Sequence, residues 1–255
     1  MFPVLNIGPL AIQSSGLIFL LGVWLGLTWS EKKAVRHHIN PDLIYTVLFL
    51  VVAVSLIAAR LGYAVIHLES YKNYLLDVFS LNFHGMDWPS GVLAGVLTFL
   101  IYVQKKDVPV WSFLDSLIPF FLSLNIALAA ASLATLSAVG SETTLPWGIQ
   151  IYDSLRHPVQ IYHLLVAIGL TILFWPNRHK VLGIERSQLL PGGEFALFLM
   201  AFSLGMMVVQ TFRAEIPVLF LSINLYHGIG LVLLFTGISL SRKRIVFLDE
   251  GGSNG

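Results

Sequence analysis

The densest run of polar side chains is Leu155-Arg156-His157-Pro158-Val159-Gln160-Ile161-Tyr162-His163, at the point where a loop gives way to an apolar stretch. A guanidinium, two imidazoles, an amide and a phenol this close together can hold an anion and move a proton. Pro158 suits a first helical position, where its missing N–H costs nothing. Arg156 and His157 just before it would meet lipid headgroups. Gln160 and His163 are three apart, so they share a helix face that must look into a bundle. The plainer reading is an interfacial anchor followed by a hydrogen-bonded bundle histidine.

Arg60 stands alone within an apolar stretch, and a guanidinium there costs several kcal/mol unless it is paired or near the interface. One reading is a structural ion pair with Asp115, the carboxylate near the start of a later apolar stretch. The other is that Arg60 faces a lipid phosphate, to which its fork gives two hydrogen bonds. His163 and His227 both lie within or beside apolar stretches, and two histidines on facing helices can hold a haem. A haem-binding subunit or a small transporter is therefore a remote alternative. The run 127–135 is rich in Ala and Ser and reads as a packing seam, with nothing able to do acid–base work.

The elements that position these residues are transmembrane helices. Charged residues make up 11% of the chain and apolar ones 56%, with mean hydropathy +0.79, a balance that makes lipid the solvent. A net charge of +1 gives no case for nucleic acid. There is no cysteine, so no disulfide, thiolate ligand or cysteine nucleophile comes from this chain. No Lys or Arg precedes the first apolar run, which is expected to persist as a helix rather than serve as a cleaved signal.

About 20 helical residues cross a hydrocarbon core. The apolar stretches 10–29, 43–67, 88–104, 110–139, 159–175, 194–209 and 216–240 predict seven spans. With seven, 11 of the 15 Lys and Arg fall on one side, following spans one, three, five and seven, which predicts an N-out, C-in protein. Residues 1–248 are expected to form a single all-α domain and 249–255 a disordered tail. The loops 68–87 and 140–157 lie on the other side and are the natural place for chemistry.

Several segments together resemble the prolipoprotein diacylglyceryl transferases. The opening Pro3-Val4-Leu5-Asn6-Ile7-Gly8-Pro9-Leu10-Ala11-Ile12 is similar to that family's start, as is Gly16-Leu17-Ile18-Phe19-Leu20-Leu21-Gly22. Ala59-Arg60-Leu61-Gly62-Tyr63 resembles its Gly-Arg-hydrophobic-Gly-Tyr, and Asp115 with Leu117-Ile118-Pro119-Phe120 resembles the start of its fourth helix. The most specific match is Arg156-His157-Pro158-Val159-Gln160-Ile161-Tyr162, close to Arg-His-Pro-Ser-Gln-Leu-Tyr, with Pro146-Trp147-Gly148-Ile149-Gln150 upstream. Phe212-Arg213 falls where the family has a similar pair.

The resemblance implies seven spans, the orientation derived above and a place in the bacterial cytoplasmic (inner) membrane. It implies lipoprotein biosynthesis: transfer of a diacylglyceryl group from phosphatidylglycerol to a lipobox cysteine, with no cofactor or metal. It places Arg60, Tyr63, Arg156, Gln160, Tyr162 and Arg213 at lipid or phosphate.

The pattern also breaks. The family's Gly-Arg-x-Gly-Asn-Phe-x-Asn-Gly-Glu falls on Asn125-Ile126-Ala127-Leu128-Ala129-Ala130-Ala131-Ser132-Leu133-Ala134. Its His-Gly-Gly falls on Pro89-Ser90-Gly91, unless a short insertion brings in His84. An arginine and a glutamate of its sixth helix fall on Met206 and Gln210, and its Tyr-Glu becomes Tyr162-His163. The expectation is a non-catalytic, phospholipid-binding homologue or a subunit of a membrane complex, with phosphatidylglycerol, and a prolipoprotein or another membrane protein, as partners. The alternative is a divergent transferase using His84, His157 or His163 as base.

Overall fold

The computed structural model describes residues 4–7, 10–71, 86–151, 153–175, 178–214 and 225–245. A hairpin comes first, β1 (Val4–Ile7) against β2 (Leu10–Gln13), with Val4 opposite Gln13. Then come α1 (Ser14–Arg36), α2 (Pro41–Ile66), the single turn α3 (Leu68–Tyr71), α4 (Trp88–Lys105) and α5 (Val110–Thr135). A second hairpin, β3 (Ile149–Ile151) and β4 (Ser154–Arg156), leads into α6 (Val159–Leu173). The short pair β5 (Lys180–Val181) and β6 (Ile184–Glu185) precedes α7 (Gly193–Gln210), and α8 is Leu225–Arg244.

The chain is thus helical, with three two-stranded hairpins among the described residues. Four of the described helices, α2, α5, α7 and α8, are long and apolar enough to cross a membrane, and α6 is a shorter apolar one. The expected stretches 43–67, 88–104, 159–175 and 194–209 match α2, α4, α6 and α7 to within two residues at each end. Two others differ: α1 starts later and runs on to Arg36, and α5 is shorter than expected. Residues 10–13 pair as a strand, and α5 stops at Thr135, after which Leu136 adopts a positive φ of 55°. Pro158 caps α6 from outside rather than opening it. Residues 216–224 and 249–255 lie outside the described residues.

The helix starts follow ordinary capping chemistry. Asn40 accepts the Asp42 N–H at 3.0 Å with Pro41 in the first turn of α2, and Asp87 accepts the Ser90 N–H at 3.0 Å ahead of α4. Inside α5, Pro119 has no N–H to give. The next amide, Phe120 N–H, donates to Ser30 Oγ of α1 at 3.0 Å.

Contacts divide the chain into two units, one of Met1–Lys33 and Leu114–Gly255, the other of Ala34–Phe113. In the second, α2 and α4 lie close: a Cβ on Gly91 would sit 2.9 Å from the Ser55 carbonyl oxygen, and Asp87 N–H donates to Ala59 O at 2.8 Å. In the first, Ile118, Leu122, Leu170, Phe174, Val181, Leu197 and Phe198 form a buried core. There α1 meets α5 where Gly22 faces Ala127, and Ser123 Oγ donates to Gly22 O at 2.7 Å.

One end of this first unit holds a charged knot. Lys33 Nζ lies 2.8 Å from Glu194 Oε1, and Arg186 Nη1 lies 3.3 Å from Glu194 Oε2. Asp115 accepts the Gly192 N–H at 2.6 Å and the Phe195 N–H at 2.8 Å. Gly192 has a φ of 87°, a left-handed conformation that suits glycine.

Candidate functional site at the loop end

At the other end of the first unit, backbone pairing assembles what the linear motif only hinted at. The chain at 139–143 runs between β4 and residues 212–214. Thr143 N–H donates to Leu155 O at 2.9 Å and His157 N–H to Ser141 O at 3.0 Å. On the other flank Ser141 N–H donates to Phe212 O at 2.8 Å and Ala214 N–H to Val139 O at 3.0 Å. Glu142 thereby stands opposite Arg156, and Gly140 opposite Arg213. Gly140 is needed for this approach, because a Cβ would collide with the His157 carbonyl. Arg156, His157 and Arg213 thus reach one neighbourhood through main-chain hydrogen bonds.

The side chains then divide the work. Arg156 Nη1 donates to Gly140 O and Nη2 to Glu142 Oε1, each at 3.2 Å, while its buried Nε has no partner. Glu142 is 70% exposed against 21% for Arg156, so this is a rim pair of small worth. His157 is buried, with Nδ1 3.1 Å from the Tyr162 hydroxyl. Trp147 Nε1–H donates to that hydroxyl at 2.9 Å. The indole can only donate, while the phenol can donate to His157 Nδ1 or accept from it, according to the imidazole tautomer. With Nδ1 accepting, Nε2–H is a donor; with Nδ1–H donating to the phenol, Nε2 is a free base. The Phe212 ring packs on both partners, 4.9 Å from His157 and 5.3 Å from Tyr162.

Gln160, fully buried, donates from Nε2 to Ala138 O and leaves Oε1 unpartnered. His163 Nε2 lies 2.8 Å from Asn125 Oδ1, and Asn125 Nδ2 is buried without a partner. Arg213 lies over the Tyr226 ring at 5.4 Å. The motif residues Arg156, His157, Gln160 and Tyr162 therefore meet Arg213 at one end of the fold.

Arg60 and Tyr63 lie on α2 in the second unit, Arg60 half-buried and Tyr63 stacked on His67 at 4.1 Å. Asp115 gives both carboxylate oxygens to backbone amides in the knot. His84 lies outside the described residues. Among the described residues no three His, Asp or Glu side chains gather to hold a metal ion.

Sequence reasoning overlooked Glu142, and it named Trp147 and Phe212 only within segments of the resemblance, without their contacts to Tyr162 and His157. It also passed over Asn125 as a donor. The available signal was the cost of an amide within an apolar helix. Chemically, the site offers guanidinium and imidazole donors for an anion, with carbonyl and amide groups around them.

Residues 3–241 match the family described as prolipoprotein diacylglyceryl transferase. Three curated relatives carry the name phosphatidylglycerol–prolipoprotein diacylglyceryl transferase. That of Synechococcus elongatus is 25% identical over 224 residues, covering 83% of this chain and 76% of the relative. That of Trichormus variabilis is 25% identical over 265 aligned residues, covering 96% and 89%. That of Streptococcus pneumoniae is 25% identical over 247 residues, covering 92% and 91%.

Proposed function

The chain belongs to the prolipoprotein diacylglyceryl transferase family, and from that footing we propose that it is a phospholipid-binding member that has given up the transfer reaction. The observation that carries this reading is the use made of α5. The segment that aligns with the family's polar signature begins at Asn125 and serves packing. Ala127 is buried on Gly22 of α1, and Ala129 is fully buried. A transferase of this type needs a base for a thiol that is mostly protonated near neutral pH, and fixed cations for the departing phosphate. Missing several such groups at once costs orders of magnitude in rate.

The anion-binding shell persists. Arg156 and Arg213 supply donors, His157 adds an Nε2–H in the tautomer whose Nδ1 accepts from Tyr162, and Gln160 lies beside them. In this reading Arg60 and Tyr63 hold lipid phosphate too, and the ligand is phosphatidylglycerol. The protein crosses the bacterial inner membrane seven times with its N-terminus outside. The Lys- and Arg-rich knot then lies on the cytoplasmic side and the loop end on the outer side. A prolipoprotein or another membrane protein is the partner to which the bound lipid is presented.

The Trp147–Tyr162–His157 chain favours a second reading, in which a held imidazole still acts as the base of a working transferase. Its companions as candidate bases are His163 and His84. The decisive assay is transfer of labelled diacylglycerol from phosphatidylglycerol to a lipobox peptide, run beside phosphatidylglycerol binding. We expect binding without turnover, and weaker binding in Arg156→Ala and Arg60→Ala. Robust turnover that disappears in His157→Gln would replace the first reading with the second.

A further inference from the structure

A cleft of about 200 Å3 opens between α5, α7 and α8. Phe121, Phe195, Phe198 and Phe202 line it, and Leu128, 46% exposed, stands at its mouth. Asn125 is its one polar lining residue. That amide is 6% exposed, and its Nδ2 has no partner. His163 fixes its orientation. With the ring donating from Nε2 to Oδ1 at 2.8 Å, the amide group keeps its two N–H donors free of the histidine.

An unmet donor in a low-dielectric wall is costly, so a ligand that brings an acceptor gains from it. The phenyl rings say what kind of acceptor. Phe121 and Phe198 stack at 6.1 Å, and Phe198 and Phe202 at 5.7 Å. Phenyl faces are electron-rich and favour an electron-poor flat ring over a saturated chain. The cleft is smaller than the roughly 300–1,000 Å3 of pockets that enclose drug-sized molecules, so it takes one ring and leaves a tail outside. Among the described residues no charged side chain lines it to meet a phosphate. We propose that this cleft binds a carbonyl-bearing ring lipid of the quinone class, its ring oxygen accepting a hydrogen bond from Asn125. The site adjoins His163, and its ligand is distinct from the phospholipid proposed above.

The test titrates the purified full-length protein, by calorimetry, with a short-chain benzoquinone and with a saturated methyl ester of similar volume. The benzoquinone should bind one per chain and the ester should not. Asn125→Leu should weaken the benzoquinone about tenfold, the worth of one good hydrogen bond. Leu128→Trp, at the exposed mouth, should block it with the amide intact, and carries the test if Asn125→Leu does not fold. Equal binding of the ester, or benzoquinone binding unchanged in the folded variants, overturns the proposal. Displacement of the benzoquinone by phosphatidylglycerol would overturn it too, because the cleft would then be an arm of the phospholipid site.

Discussion

At one end of the first unit Lys33 and Glu194 are both buried and 2.8 Å apart, with Arg186 on the second carboxylate oxygen. At the other end Arg156 meets an exposed Glu142, and Gln160 Oε1, Gln210 Oε1 and Arg156 Nε are buried with no partner. The knot leaves one such atom, Arg186 Nε. Both ends concentrate charge and amide groups at helix termini, yet one spends them on each other and the other keeps them available. Buried polar atoms are normally paired, so an end that carries several unpaired ones is where a ligand gains most. The knot is architecture, and the loop end is the place to look for binding.

The contrast can be broken most decisively at the knot. Glu194→Ala leaves Lys33 buried without its carboxylate, and should cost about 3–5 kcal/mol, seen as a large fall in Tm with folded yield reduced. Replacing both Lys33 and Glu194 by Met should recover most of that loss. If Glu194→Ala melts like the parent, the knot is not structural.

Gly192→Ala forces a side chain into a left-handed conformation and should cost about 1–2 kcal/mol of thermal stability while phosphatidylglycerol binding stays as it was. At the loop end the pattern should reverse. Tyr162→Phe removes the link between Trp147 and His157, worth about 1 kcal/mol, or about a fivefold loss in phosphatidylglycerol affinity. A thermal scan should register it weakly; an unchanged affinity would detach the relay from binding. Smallest of all, Glu142→Ala should change stability by less than about 0.5 kcal/mol. It should also tighten phosphatidylglycerol by freeing the Arg156 guanidinium, and weaker binding in that variant would mean Glu142 serves to position Arg156.

How far the sequence could be read follows the same division. Periodicity and length located α2, α4, α6 and α7 to within two residues, because each apolar run is bounded by a breaker, Asn40-Pro41, Asp87-Trp88-Pro89, Pro158 or Pro191-Gly192, that leaves little freedom about where it starts. They failed at 10–13, whose Leu-Ala-Ile-Gln suits a helix and a strand equally well; pairing with Val4–Ile7 decided it. Arg156, His157, Gln160 and Tyr162 were legible since they are contiguous. The contacts of Glu142, Trp147 and Phe212 with them were not, because they depend on the pairing of 139–143 with β4 and 212–214 and on the reach of an indole across the β3–β4 hairpin. Lys33 was the most misleading residue. Counted among the loop cations that set orientation, it proves to be 4% exposed. Hydropathy sees a charge and cannot see a carboxylate 161 positions later.

That separation bears on how the protein is made. Lys33 leaves the ribosome early, whereas Arg186 and Glu194 follow only when most of the chain has been synthesised. Until they arrive, the end of α1 carries a cation with no carboxylate to meet it, so the first helix cannot be locked in place against its final neighbours. Closure of the knot therefore waits on the synthesis of α7 and is a late event in the life of the chain.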